Sequence, residues 1–142
     1  MAEAVKGAGE LIALLTAMAA AARAPRPALE SSGDEMVAAI QRNFDAGGRP
    51  AWTPLSPNTR RGGRLLNRSG RLRGSFAPHV RGRSVSADSD TAYGPRQHFG
   101  YRAKRGKTGR GHSPTPARPF AELQDEDLVE VVAPIGRHVV RL

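Results

Sequence analysis

Val80-Arg81-Gly82-Arg83-Ser84-Val85-Ser86-Ala87 alternates small or β-branched residues with polar ones on either side of a glycine, the pattern of two short strands turning at Gly82. Ahead of it, Ser69 to Phe76 suits a short turn of helix that Ser69 and Ser75 cap or brace. After it, Tyr93 to Gly100 suits a small helix or turn bearing Tyr93, His98 and Phe99. Further out the period changes from two to 3.6. Leu11, Leu14, Leu15, Met18 and Ala22 recur at helical spacing and stop before Pro25 and Pro27, because a residue preceding proline is pushed out of the α region. A second helix is expected from about Pro27 to Phe44, with Met36, Val37, Ile40 and Phe44 on one side and Gly47-Gly48 as its stop. Gly33 inside it costs about 1 kcal/mol relative to alanine.

Between that helix and the hairpin, Arg49 to Pro57 carries three prolines and should run extended, with Trp52 and Leu55 as anchors and a brief helix opening at Ser56-Pro57. At the far end, Asp125, Glu126 and Asp127 put negative charge on a helix start. Leu128, Val131, Val132, Ile135, Val139 and Leu142 supply its apolar face, with a kink or break expected at Pro134. The expected fold class is therefore α+β: a small antiparallel sheet packed with N-terminal helices and a C-terminal helix, with long extended arms and a basic loop.

The chain has 142 residues, the length of one ordinary domain, and a chain of that size buries roughly 70% of its unfolded surface. Cysteine is absent, which excludes disulfides, thiolate metal sites and a cysteine nucleophile. The apolar run Leu11 to Ala22 is only 12 residues long, against the roughly 20 that span a bilayer, so no membrane or export segment is expected.

The net charge is +9, and it is unevenly placed. Residues 46–121 hold sixteen basic residues and two acids, whereas residues 1–45 hold four against six and residues 122–142 hold two against five. Arg60, Arg61, Arg64, Arg68, Arg71, Arg73, Arg81 and Arg83 form a run of arginines without a lysine. A guanidinium binds carboxylate or phosphate through two contacts at once, so the run suits an acidic protein surface or nucleic acid. The 125–127 cluster of a neighbouring copy is one such surface. Residues 101–117 form a Lys/Arg/Gly/Ser/Pro tract expected to be mobile without a partner.

No catalytic constellation accompanies these features. His79, His98, His112 and His138 lack metal-ligand spacing, and no cofactor is expected. Gly100 to Thr108 approaches a phosphate-binding loop, but five residues lie between its glycines where the motif has four, and no apolar strand precedes them. The chain is not expected to be an enzyme.

The order of landmarks carries more than any one of them. Asn43-Phe44 closes a helix. Trp52-Thr-Pro-Leu-Ser-Pro-Asn-Thr59 follows, then Leu65-Leu66-Asn-Arg-Ser69-Gly70-Arg71-Leu72-Arg-Gly-Ser75, then Tyr93 with His98-Phe99-Gly100. Last comes Pro116-Ala-Arg118-Pro119-Phe120 running into the acidic helix start. In this order the chain resembles the phage virion morphogenesis family, which includes the Mu-like tail completion proteins, over residues 28–142. It departs where the family commonly reads Tyr-Ala-x-x-His-Gln-Phe-Gly: here Gln and His are exchanged and a proline is inserted at Pro95. The resemblance implies a virion morphogenesis domain over 28–142; the Ala-rich helix expected over 1–27 carries no family motif. It also implies a structural role at the head-tail junction, as a subunit of a ring, expected to be a hexamer, that completes the tail or forms the neck of the virion and is made in the bacterial host cytoplasm. Its partners would be copies of itself, the neighbouring neck and tail tube proteins, and non-specifically the DNA passing through. The interface candidates are Trp52, Leu55, Arg60, Arg61, Arg64, Arg71, Arg73, His98, Phe99, Tyr101, Arg118 and Phe120. The alternative is a basic nucleic-acid-binding protein.

Overall fold

The computed structural model describes residues 2–55, 65–66, 69–102 and 114–140, with side chains from residue 7 onward. The expectations for Ser56-Pro57, Arg60, Arg61, Arg64, Arg68, Leu142 and most of the basic tract lie outside the described residues.

Helix α1 (Ala2–Arg23) ends before Pro25, and α2 (Arg26–Ala46) starts with Pro27 in its first turn, where a missing N–H costs nothing. Gly47 ends α2 in the left-handed conformation, φ 70°. Its N–H bonds Phe44 O at 3.3 Å, and the Gly48 N–H bonds Asn43 O at 2.8 Å, satisfying carbonyls that the helix leaves open. The chain then turns through a cis Arg49–Pro50 peptide. The short helix α3 (Arg71–Gly74) precedes strands β1 (Phe76–Arg81) and β2 (Ser84–Ser89), with α4 (Gly94–Phe99) and α5 (Asp125–Val140) after them.

The hairpin forms as its alternation predicts. β1 and β2 pair antiparallel with Val80 opposite Val85 and Arg81 opposite Ser84, closing on Gly82-Arg83. Ser75 braces α3 as expected: its hydroxyl lies 2.7 Å from Leu72 O and 2.6 Å from Ser89 Oγ. Pro95 enters α4 in its first turn, the position where a helix accepts it, so the departure from the family pattern is absorbed without loss of the helix.

α2 is the spine. One side of it packs on the hairpin and another on α5. Gly33 makes the first contact possible: a Cβ there would stand 2.6 Å from Pro78 Cβ and 2.9 Å from Val85 Cγ2. The glycine that weakens the helix locally is what lets the sheet approach it. Gly33→Ala is therefore expected to destabilise the protein by about 1 kcal/mol. The helix-propensity gain of about 1 kcal/mol is outweighed by overpacking against a rigid proline ring, at about 1–3 kcal/mol. A lower urea midpoint would show it.

The core gathers at the C-terminal end of α2. Ile40, Phe44, Trp52, Leu72 and Phe120 are buried together, with Leu65, Leu66, Phe76 and Ala87 against them. Phe44 is its centre, with ring centroids 5.5 Å from Trp52, 5.4 Å from Phe120 and 6.4 Å from Phe76. Leu55, expected beside Trp52 as an anchor, is exposed instead. The chain turns back through Pro50 and brings only Trp52 under α2.

Helix α5 meets its expectation only in part. It runs unbroken through Pro134, which is buried. Ser32 Oγ on α2 donates to Val131 O at 2.6 Å, so tertiary contacts hold the turn from which proline removes a donor. Its inward face is built on Asp127, Val131, Pro134 and His138, while Leu128, Val129, Val132 and Val140 face outward. Of the expected apolar face, Val131, Ile135 and Val139 are half-buried, whereas Leu128 and Val132 are exposed because the helix is rotated to bury Asp127.

Candidate subunit interface

The interface candidates separate into residues spent on the chain's own fold and residues that face outward. Trp52 and Phe120 belong to the first group, as core side chains. So does Arg118, which is 5% exposed. Its Nε donates to Thr53 O at 2.9 Å and its NH2 to Pro54 O at 3.3 Å, while its backbone N–H donates to Gln97 O at 2.9 Å. One guanidinium thereby ties the proline-rich arm to the segment before α5, and burial lowers its proton affinity without discharging it. Arg118→Lys is expected to cost about 1.5–3 kcal/mol, since an ammonium cannot span both carbonyls. Urea titration of the full chain checks it.

His98 stacks edge-on against Phe120 at 5.0 Å and against Phe99 at 4.6 Å. Burial pushes its pKa below 6.5, against an opposing pull from Glu122. Arg73 is paired at 3.1 Å with Asp45. Facing outward are Leu55, Arg71, Phe99 and Tyr101, of which Phe99 is 76% exposed. Arg96 lies 4.4 Å over the Tyr101 ring. Tyr101 and Thr115 exchange two backbone hydrogen bonds of 2.8 Å, closing the base of the segment between them. Phe99, Tyr101, Arg102, Pro114 and Pro116 border an open groove of about 530 Å³ beside that base. Arg60, Arg61 and Arg64 lie outside the described residues.

Of the three acids at the start of α5, Asp127 is spent inside the chain and is not free to meet a neighbour's arginines. Asp127 is 1% exposed and accepts from Arg49 NH2 at 2.6 Å, Arg42 NH2 at 2.9 Å and the Gln124 N–H at 2.9 Å. Burial alone would push its carboxyl up. The Gln124 N–H and the two guanidiniums outweigh that and hold it below 3.8. The bond to Asp127 in turn raises Arg42, against the opposing effect of burial. Arg49 also reaches Glu126 at 3.2 Å, and Arg42 reaches Glu130 at 3.0 Å. Asn43 completes the seam: its amide donates to Phe120 O at 2.7 Å and Glu122 O at 2.8 Å and accepts from Arg49 Nε at 2.8 Å. Sequence reading passed over Arg42 and Arg49. A lone Asn before Phe44 at a helix end was the available signal for Asn43.

Two apolar surfaces remain uncovered. On α1, Leu11, Ile12, Leu14 and Leu15 are 46–65% exposed, and on α5, Leu128, Val129, Val132 and Val140 are 46–71% exposed. Against eight buried apolar residues among the described ones, this is a large outward apolar area, of the kind that marks a contact with another macromolecule. Among the described residues no group of His, Asp and Glu could hold a metal ion. Among them too, no single helix is long and apolar enough to cross a membrane, and α1 and α2 meet at 58°.

The sequence pattern of the phage virion morphogenesis family matches residues 9–140. Among known proteins, the chain is similar to the Mu-like prophage FluMu G protein 2 of Haemophilus influenzae, with 30% identity over 132 residues, 92% of this chain and 90% of that protein. No solved structure matches.

Proposed function

The chain belongs to the phage virion morphogenesis family, and from that premise we propose that it is a ring-forming subunit of the head-tail junction, a tail completion or neck protein that makes a tail joinable to a head. Its role is structural and needs no catalysis or cofactor. The observation that carries this reading is the outward apolar area of α1 and α5 on a small core, since neighbouring copies would supply the missing burial. A ring of six is the assembly we infer, with neck and tail tube proteins above and below. A contact that joins unlike surfaces of successive copies closes into such a ring when its rotation closes.

Deleting the gene in a producing phage and examining the lysate by electron microscopy tests the role. The expected result is filled heads and separate tails, restored to joined particles by added protein. Normal joined particles would overturn it. A second reading, a basic nucleic-acid-binding protein, is favoured by the sixteen basic residues in 46–121. It requires duplex or single-strand binding whose logarithm falls steeply with salt, and filter binding at low ionic strength decides it.

A further inference from the structure

We propose that α1 of one copy docks antiparallel on the outward face of α5 of the next copy, pairing Arg23 with Asp125 and Glu10 with Arg137. This deepens the ring reading and rests on it. Within one chain the two surfaces do not meet. α1 is held at its C-terminal end, where His138 Nε2 lies 3.0 Å from Ala21 O and 2.9 Å from Ala24 O, and Arg83 NH2 donates to Ala22 O at 3.3 Å. His138 belongs to the inward face of α5, so Val129, Val132 and Val140 point away from the chain's own α1. A helix that is apolar on its outside while its inside carries a buried carboxylate is one made to be covered.

Charge chooses the occupant and its direction. Glu10, Arg23, Asp125 and Arg137 are all exposed, and none of them has an ion-pair partner among the described residues. Glu10 and Arg23 stand at the two ends of the α1 stripe thirteen residues apart; twelve apart on α5, Asp125 is exposed at its start and Arg137 at the edge of the outward face, beside the groove that Pro134 and His138 form with Ala21. At 1.5 Å per residue these spans are about 20 and 18 Å, equal within a turn. Laid antiparallel, both ends pair opposite charges; laid parallel, both ends pair like charges, which is repulsive. The antiparallel register sets Leu15 against Val132 and Met18 against Val129, and puts Leu11 over Gly136, where no side chain blocks approach. The contact joins unlike surfaces, so each copy offers one helix forward and one face back.

The chain has no cysteine, so cross-linking is clean. Full-length Leu15→Cys and Val132→Cys, both at exposed positions, are mixed and oxidised, in purified protein at high concentration and in assembled particles. A Leu15–Val132 disulfide that exceeds either homodimer is the expected result. A cross-link mainly between two Leu15→Cys chains would assign α1 to another α1 and overturn the proposal, as would no link in either sample. Charge reversal supplies a second readout. Arg23→Asp should weaken self-association by about fivefold, and Asp125→Arg on the same chain should restore it; failure to restore contradicts the pairing. A chain that oligomerises by light scattering without the Leu15–Val132 link overturns this contact and leaves the ring standing. A chain that stays monomeric and is missing from particles overturns both.

Discussion

Asp127→Ala is expected to lower the unfolding free energy by about 3 kcal/mol, the low end for breaking a buried ion pair, seen as a reduced urea midpoint at unchanged slope. The low end applies because Arg49 and Arg42 are 20% and 39% exposed and regain water once released. Three bonds end on this carboxylate. Two tie α5 to α2 and its following turn, and the third, from the Gln124 N–H, closes the start of α5 itself. Asp125→Ala, at an exposed position on the same turn, should change stability by less than about 0.5 kcal/mol. Acid should reproduce the effect. The folded carboxyl titrates below 3.8, so the unfolded chain takes up its proton first. The stabilisation is full above 3.8 and is lost as pH falls through the lower, folded value. In Asp127→Ala that acid-sensitive part of the profile should disappear.

Phe44→Ala is expected to cost about 3–5 kcal/mol, a large share of the roughly 5–15 kcal/mol that holds a domain folded. Phe44 is 2% exposed and touches Trp52, Phe76 and Phe120, which come from three separate segments. No other ring in the core is positioned to fill the space, because Trp52 is held by its backbone N–H to Gly47 O and Phe120 by Asn43 on its carbonyl. Loss of the near-ultraviolet signal of Trp52 at temperatures where the parent remains folded would register it. Unchanged thermal stability would mean that the aromatic cluster is not the centre of the fold.

Much of this architecture was legible because its causes are local. The hairpin at Gly82, the αL stop at Gly47 and the acidic start of α5 each follow from residues within a few positions of one another. The run from Pro116 to Phe120 was legible as a landmark, and the structure supplies its reason in Arg118 on the arm carbonyls and Phe120 in the core. What failed was half of the α5 face. Periodicity picked out an apolar side, of which Val131, Ile135 and Val139 are half-buried, but it did not show that the helix is rotated so that Leu128 and Val132 face outward. The decision falls to Asp127, whose arginine partners stand 85 and 78 residues earlier. Nothing in the local pattern marks one of three adjacent acids as the buried one. The same distance effect hid Arg42 and Arg49 in helix and turn positions where an exposed arginine is ordinary. Leu55 illustrates the converse: an apolar residue in a proline-rich arm looks like an anchor, yet the turn at Pro50 spends the available core volume on Trp52.

Phe44 and Asp127 stabilise the chain's own small core, and α1 and the back of α5 are the apolar surfaces left exposed, which the proposed ring would cover. Immunogold labelling of purified particles is the most direct test. The account predicts label at the junction between head and tail, in a fixed number of copies per particle. Purified infectious particles that contain none of this protein would contradict it.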